Sequence, residues 1–150
     1  MSAPALEAEF RSDEQIANDF LGYLQSEVSE KIIYDVEPTP LTGGMNARLY
    51  RYKLMGKEPR VLRLLPPTRE VKELQYHQLV HKTLKKHGVH APEIYSVCGD
   101  QSVLGGVFAI MELLQGHGLF SESLEIHGTV LAQSMAKMHE LDVRPIVDEF

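Results

Sequence analysis

The 150-residue chain carries a formal net charge of −6 and is 43% hydrophobic and 24% charged, proportions typical of a soluble globular domain. The acidic balance argues against nucleic acid as the main partner, and no segment has the apolar length of a membrane span. The N-terminus, MSAPALEAEFRSDEQ, is too acidic and polar for a signal peptide. The single cysteine, Cys98, excludes an internal disulfide and fits a reducing compartment. These features predict a cytoplasmic protein with one domain, or one domain and part of a second.

The chain is expected to begin with a flexible arm over residues 1–11, which lack periodicity. Ser12 followed three positions later by Gln15 has the form of a capping box, which predicts that a helix begins there. A strand over 32–36 is expected after this helix and is expected to end at the prolines that follow. One apolar residue in every four gives the helix a buried stripe, made of Ile16, Phe20, Leu24 and Val28.

The stretch 40–67 alternates glycine-containing turns with apolar segments. Strands are predicted over 47–54 and 60–65, and the turns around them favour a pair of hairpins. Arg63 has leucine on both sides, in a segment apolar enough to be buried on both faces. An unpaired charge in such surroundings costs roughly several kcal/mol. Arg63 therefore needs a partner and is a candidate functional residue.

A long helix is predicted over 68–87, because Thr68 can cap it and a glycine follows its last turn. Its apolar side carries Tyr76, Leu79, Val80, Thr83, Leu84 and His87. Glu73 falls on the same side, one turn before Tyr76. A carboxylate on an apolar helix face is as unusual as an arginine in an apolar strand. We therefore predict that Glu73 and Arg63 form an ion pair.

Two more strands are predicted over 91–98 and 107–114, and a last helix over 124–141. The order helix, three strands, helix, two strands, helix predicts an α+β fold: a five-stranded antiparallel sheet with one long helix packed on it. The apolar stripe of the last helix is Leu131, Ala132, Met135, Met138 and His139. We expect this stripe to be exposed, because the chain offers little to cover it.

This order of elements resembles the N-terminal lobe of the aminoglycoside phosphotransferase and choline-kinase-like family, which has a protein-kinase-like fold. Five segments spanning about residues 30–142 carry the resemblance: LTGGMNARLYRY, RVLRLLPP, GVHAPEIY, GGVFAIMELLQG and LAQSMAKMHELD. The resemblance implies a kinase-like lobe over 12–115 after the arm 1–11. It implies the start of a helical C-terminal lobe over 116–150.

The resemblance implies a site for the phosphates of ATP. Gly43 and Gly44 would let backbone amides approach the phosphates, with Thr42 and Asn46 close enough to assist; the alternative is an ordinary hairpin turn. Arg63 would take the place of the basic residue that contacts the α- and β-phosphates, and its alternative is a structural ion pair. The residue that orients Arg63 would be Glu73, with Glu70 and His77 as the other possibilities.

The resemblance also implies a hinge made of Met111, Glu112 and Leu113. The free backbone groups of this segment would bond the adenine edge, and Met111 and Leu113 would line the adenine slot. Packing in the core is the alternative role for either side chain. Adenine nucleotide is therefore the expected partner, and ATP the expected cofactor.

The catalytic residues that the resemblance implies are an aspartate base, a metal-binding asparagine and a second metal-binding aspartate. The family carries them after the last helix matched here. His127-Gly128 resembles the start of a catalytic loop, but Thr129 and Val130 follow it directly, where that loop would need an aspartate and an asparagine. No catalytic or metal-binding residue is therefore assigned, and Mg²⁺ is expected only in a complete, two-lobed form.

Three hypotheses follow. The leading one is the N-terminal, ATP-binding portion of a small-molecule phosphotransferase, inactive alone, whose phosphate acceptor the sequence does not define. The second is a non-catalytic module that binds a nucleotide or a protein. The third is an unrelated α+β domain whose glycine turns are simple hairpins.

Overall fold

The computed structural model describes residues 10–42, 46–116 and 123–148. Within these residues the chain forms five helices and five strands. The helices are α1 (Asp13–Glu27), α2 (Val71–Lys86), α3 (Gln101–Leu104), α4 (Leu124–His139) and α5 (Arg144–Val147). The strands are β1 (Tyr34–Leu41), β2 (Arg48–Leu54), β3 (Arg60–Leu64), β4 (Ile94–Cys98) and β5 (Phe108–Glu112). They form one antiparallel sheet in the order β1-β2-β3-β5-β4, which confirms the predicted five-stranded α+β architecture.

The chain divides into two compact units, Met1–Gln75 with Ile94–Leu113 and Tyr76–Glu93 with Leu114–Phe150. The first unit holds all of the sheet, α1, α3 and the first residues of α2. The second holds the remainder of α2 with α4 and α5. The lobe proposed from the sequence, 12–115, keeps α2 whole, whereas the compact units divide this helix.

Helix α1 begins with the predicted capping box. Ser12 Oγ accepts a hydrogen bond from the backbone N–H of Gln15 (3.2 Å), and Gln15 Oε1 accepts one from the backbone N–H of Ser12 (3.0 Å). These bonds satisfy two N–H groups that have no partner within a helix. Ile16 and Phe20 are fully buried. Val28, predicted as the end of the same stripe, lies past the end of α1 and is 44% exposed.

Phe10 and Arg11, the last residues of the predicted arm, contact the rest of the fold. Phe10 packs against the core on the α1 side of the sheet. Arg11 Nη1 donates to Asp19 Oδ2 (2.7 Å) and to the carbonyl oxygen of Val103 (2.6 Å), and Arg11 Nη2 donates to that of Ser102 (3.1 Å). These bonds tie the start of the described chain to α3. The residues before Phe10 lie outside the described part of the chain.

Strand β1 is longer than the sequence predicts. The expected strand over 32–36 was to end at the prolines, but β1 includes both Pro38 and Pro40. This prediction was wrong because β1 is an edge strand, and register shifts interrupt its pairing with β2 at two places. An edge strand accommodates proline, since a missing N–H on its open side breaks no ladder hydrogen bond.

A short helix, α3, takes the place of the turn predicted before β5. Asp100 Oδ1 accepts from the backbone N–H of Ser102 (2.9 Å) and caps α3, and Gly105, with a φ of 83°, ends it. Gly106 then passes so close to β3 that a Cβ at this position would lie 2.2 Å from the carbonyl oxygen of Leu65. The approach of β5 to the end of β3 therefore requires glycine.

The sheet has two faces, because alternate residues of a strand point to opposite sides. One of them, called the α1 face below, packs on α1 through a cluster of Ile16, Phe20, Tyr50, Tyr52, Leu62, Leu64, Leu104, Phe108 and Ile110. The other, called the Arg63 face below, carries a second cluster of Val61, Leu65, Leu74, Ile94, Val107, Ala109 and Met111. Arg63 belongs to this second face, since it lies between Val61 and Leu65 along the chain.

Aromatic rings dominate the α1 face. Phe20 makes edge-to-face contacts with Tyr52 (centroids 5.0 Å apart) and Phe108 (6.0 Å). The Tyr50 hydroxyl donates to Asp13 Oδ1 (2.7 Å) at the start of α1. Burial raises the pKa of Tyr52 to about 12, and burial together with the bond to Asp13 raises that of Tyr50. Both phenols therefore stay protonated in the folded protein well above their ordinary range.

The apolar stripe predicted for α2 is only partly correct. Leu74, which that stripe omits, is fully buried in the cluster of the Arg63 face. Thr83 is 8% exposed, as a stripe residue should be, but Tyr76 is 41% exposed. The predicted stripe assumed one buried side along the whole helix, whereas residues 71–75 and 76–86 of α2 belong to different compact units.

The apolar stripe predicted for the last helix is exposed, as expected. None of the described residues of α4 is buried. Leu131 and Met135 are each 48% exposed, and Met138 is 49% exposed. The described residues of the second unit therefore leave this stripe largely uncovered.

Candidate functional site

Arg63 lies in the middle of the sheet. Its Cα pairs with that of Leu49 in β2 and that of Ala109 in β5. Ala109 is fully buried and Leu49 packs against the same cluster. Arg63 itself is half-buried. An arginine in such a place lays its aliphatic stem on apolar neighbours while its charged end stays near water.

The electrostatics of Arg63 combine an unfavourable and a favourable effect. Burial lowers the pKa of Arg63, and the nearby charge of Glu73 raises it in opposition. Its guanidinium stays protonated near neutral pH, since an arginine pKa is ordinarily above about 12. A fixed, half-buried cation gains from an added anion, because the anion offsets the loss of water. This position therefore suits an anionic ligand.

Glu73 lies in the first turn of α2. Its Oε2 is 3.3 Å from Nη1 of Arg69, four residues earlier, and its side chain is 29% exposed. The carboxylate thus interacts with two arginines. Of the three candidates for orienting Arg63, Glu73 is the one whose charge acts on its pKa. Glu70 is exposed and His77 lies in the second compact unit. The orienting role of Glu73 stays a prediction.

Val61 and Met111 form the next row of the Arg63 face. They are Cα partners across β3 and β5, and each is 7% exposed. Leu113 is half-buried and packs against the same cluster. The structure therefore brings two of the predicted hinge residues, Met111 and Leu113, to the cluster beside Arg63.

Strand β5 ends at the predicted hinge. Its last pairs are Glu112 with Arg60 in β3 and Met111 with Ile94 in β4. Residues 113–115 continue without strand pairing. Backbone groups that a ligand could bond therefore begin just past Glu112. By strand alternation, the side chain of Glu112 lies on the face opposite Met111.

The predicted phosphate-binding turn is described at its two ends. Thr42 follows β1 and Asn46 precedes β2, and both are exposed. Gly43 and Gly44 lie outside the described residues. The ladder of β1 and β2 reaches Leu49, which also pairs with β3 next to the site. The turn therefore connects strands that adjoin the Arg63 face.

Three residues of this site were missed by the sequence analysis: Leu49, Val61 and Ala109. Val61 had a signal, because it precedes Arg63 by two positions in one strand and so shares its face. Leu49 and Ala109 meet Arg63 only through strand register. Register depends on which strands pair, and a single sequence leaves this open.

The described part of the chain shows no group of three or more His, Cys, Asp or Glu side chains placed to hold a metal ion. His81 is engaged locally, with Nδ1 2.8 Å from the carbonyl oxygen of Pro92. Within the same residues, no helix is long and apolar enough to cross a membrane.

Comparisons with known proteins agree with the fold. The family model described as the phosphotransferase enzyme family, APH, matches residues 37–149. The chain is also similar to the crystal structure of a Ralstonia eutropha JMP134 protein provisionally assigned as an aminoglycoside phosphotransferase, with a TM-score of 0.60 and 20% sequence identity. That similarity covers 86% of this chain and 39% of the other, so this chain spans about two fifths of that protein. No curated protein matches significantly.

The sheet order and the helix after β3 define the N-terminal lobe of a kinase-like fold. The matched family model covers more than half of the sequence. The chain therefore belongs to the phosphotransferase enzyme family. At 20% identity, the solved structure supports the fold and not a particular substrate.

Proposed function

We propose that this chain is the ATP-binding lobe of an ATP-dependent kinase that phosphorylates a small molecule in the cytoplasm. One observation carries the proposal: Arg63 is a half-buried cation beside the apolar cluster of the Arg63 face. A cation held partly out of water costs free energy, and a ligand anion would offset that cost. Family membership supports the same function, since this family transfers phosphoryl groups.

The residues of the Arg63 face fit an adenine nucleotide. Val61 and Met111 form an apolar row that suits the flat surface of a purine. The backbone of residues 113–115, which continues outside the strand, suits the hydrogen-bonding edge of the base. Arg63, one row along, suits the phosphates. The apolar row would therefore contact the base, the backbone its hydrogen-bonding edge, and Arg63 the phosphates.

The residues of this chain would bind and orient the nucleotide. ATP with Mg²⁺, when bound, supplies the phosphoryl group that is transferred. Arg63 would contact the α- and β-phosphates, and Glu73 would hold Arg63 in place. Thr42, Asn46 and the backbone amides of the glycine turn between them would approach the phosphates.

The groups that act on the acceptor hydroxyl and hold Mg²⁺ would belong to a second lobe, of which 116–150 would be the beginning. With no catalytic residue assigned, we expect these 150 residues alone to bind ATP weakly and to transfer no phosphate. One arginine and a few amides against a triphosphate give a dissociation constant near the millimolar range, or about −4 kcal/mol.

The experiment is a calorimetric titration of the chain with ATP and Mg²⁺, beside an assay of ATP turnover with a panel of hydroxyl and amine acceptors. We expect weak binding and no turnover. Micromolar binding without turnover would favour a self-standing nucleotide-binding module. Turnover that is lost in Arg63→Ala would show that the chain holds its own catalytic groups.

A further inference from the structure

Strand β4 contains a bulge at Tyr95. Ile94 pairs with Met111 and Ser96 pairs with Ile110, so β4 advances two residues where β5 advances one. The residue in excess is Tyr95. A bulge bends the strand and redirects one side chain, and bulges are frequent beside functional sites. This bulge lies opposite the last residues of β5.

The ring of Tyr95, at the bulge, meets Arg60. The guanidinium carbon of Arg60 lies 4.4 Å from the centroid of the Tyr95 ring, a cation–π contact. Arg60 is the first residue of β3, and its Cα partner is Glu112, the last residue of β5. In the sheet order, β5 lies between β3 and β4. The contact therefore joins β3 and β4 across the end of β5.

Neither side chain belongs to the face that would hold a nucleotide. Arg60 alternates with Val61 and so lies on the α1 side of the sheet, where its charge acts on Tyr52. Tyr95 is 42% exposed and Arg60 is exposed, so neither contributes much to the core. The Arg60–Tyr95 contact lies beside the end of β5, where it can restrict the movement of the backbone that follows Glu112.

We propose that Arg60 and Tyr95 are positioning residues that hold the backbone just past Glu112 in the place where it bonds the edge of a purine. The inference rests on the proposed function and deepens it. It states that two residues on the opposite side of the sheet position the backbone that binds the base. The two side chains act through the backbone and make no contact with the nucleotide.

The first test is hydrogen–deuterium exchange of the free chain, which needs no nucleotide. Tyr95→Leu and Arg60→Met remove the cation–π contact, whereas Tyr95→Phe keeps a ring beneath the guanidinium. We expect the amides of residues 111–114 to exchange about two- to fivefold faster in the first two variants, the range for an exposed cation–π pair. In Tyr95→Phe they should exchange as in the wild type. Equal exchange in Tyr95→Leu and Tyr95→Phe would overturn the inference.

The second test separates base binding from phosphate binding, by NMR titration of each protein with adenosine and with inorganic tripolyphosphate. We expect Tyr95→Leu to bind adenosine about two- to fivefold more weakly than Tyr95→Phe, with tripolyphosphate affinity unchanged. A purely structural role would lower both affinities or neither, and either result would contradict the inference. A wild type that binds neither these probes nor ATP with Mg²⁺ would overturn the proposed function, and the inference with it. Binding by the wild type with no difference between the two variants would overturn the inference alone.

Discussion

Two arginines on neighbouring strands, Arg48 on the α1 face and Arg63 on the opposite face, have different surroundings. Arg48 donates to Asp13 Oδ1 (2.8 Å) and to the carbonyl oxygen of Arg11 (3.0 Å). Its guanidinium also lies 5.2 Å from the centroid of the Phe10 ring. Arg63 instead has Leu49 and Ala109 as its Cα partners and lies near the charge of Glu73. Burial lowers the pKa of Arg63.

We propose that the two faces of the sheet have different roles. The α1 face joins aromatic packing to charges that are bonded within the fold, so removing a group there should cost stability. On the Arg63 face, burial lowers the pKa of Arg63 while the charge of Glu73 raises it, and we propose that this cation serves ligand binding. Removing that cation should cost binding. The expected outcomes below run from the largest effect on the α1 face to the smallest.

Truncating the centre of the α1 face should destabilise the protein most. Phe20 is fully buried and contacts two other rings edge to face. We expect Phe20→Ala to lower the free energy of unfolding by about 3–5 kcal/mol, measured by denaturant titration. Phe20→Leu, which keeps most of the volume, should lose about 1 kcal/mol. Similar losses in the two variants would mean that ring packing does not hold α1 to the sheet.

The buried tyrosines should make the protein sensitive to alkali. Burial raises the pKa of Tyr52 from 10.0 to about 12, and the pKa values of Tyr34 and Tyr50 are also raised. A raised pKa stabilises the folded state fully below the unfolded pKa, and this stability is lost as pH rises through the folded pKa. For Tyr52 the loss between pH 10 and 12 should reach about 3 kcal/mol.

The measurement is denaturant unfolding at several values of pH, with tyrosinate absorbance followed in parallel. Tyr52→Phe should flatten the pH dependence, because one of the three titrating phenols is gone. An unchanged free energy of unfolding up to pH 12 would contradict the assignment of these phenols to a sealed core.

Breaking the hydrogen bonds between α1 and β2 should have the next largest effect on the free energy of unfolding. Asp13 Oδ1 accepts from both Arg48 (2.8 Å) and the Tyr50 hydroxyl (2.7 Å). We expect Asp13→Asn to lower the free energy of unfolding by about 1–2 kcal/mol, because both bonds lose a charged acceptor. The control is Asp35→Asn, which breaks the exposed pair with Lys53 and should cost less than about 1 kcal/mol. Equal losses would place the Asp13 bonds among ordinary surface pairs.

The sequence predicted the helices and strands better than it predicted how the strands pair with one another. The capping box at Ser12, the order of strands and the anomaly of Arg63 all depend on neighbours along the chain, so local patterns reveal them. The continuation of β1 through Pro38 was missed because a strand accommodates proline only at the edge of a sheet, and the sequence does not show that β1 is an edge strand. The bulge at Tyr95 was missed for a similar reason, since it exists only relative to the register of β5.

The candidate site was predicted in part for the same physical reason. Met111 and Leu113 were named from the resemblance, and the structure places both on the cluster that Arg63 shares. Leu49 and Ala109, the cross-strand neighbours of Arg63, were not named. Side chains that meet across a sheet are distant in sequence, and only pairing and register bring them together.

The central claim is that the Arg63 face binds nucleotide and the α1 face maintains the fold. It is tested most directly by measuring the free energy of unfolding and the affinity for ATP with Mg²⁺ in the wild type, Arg63→Met and Arg48→Met. We expect Arg63→Met to change stability by less than about 1 kcal/mol and to weaken ATP binding about tenfold, since bonds to charged groups are worth about 1.5–3 kcal/mol. Arg48→Met should lose about 1–3 kcal/mol of stability and keep the wild-type affinity at temperatures where it is folded. Equal effects of the two substitutions on ATP affinity, or a stability loss confined to Arg63→Met, would contradict the account.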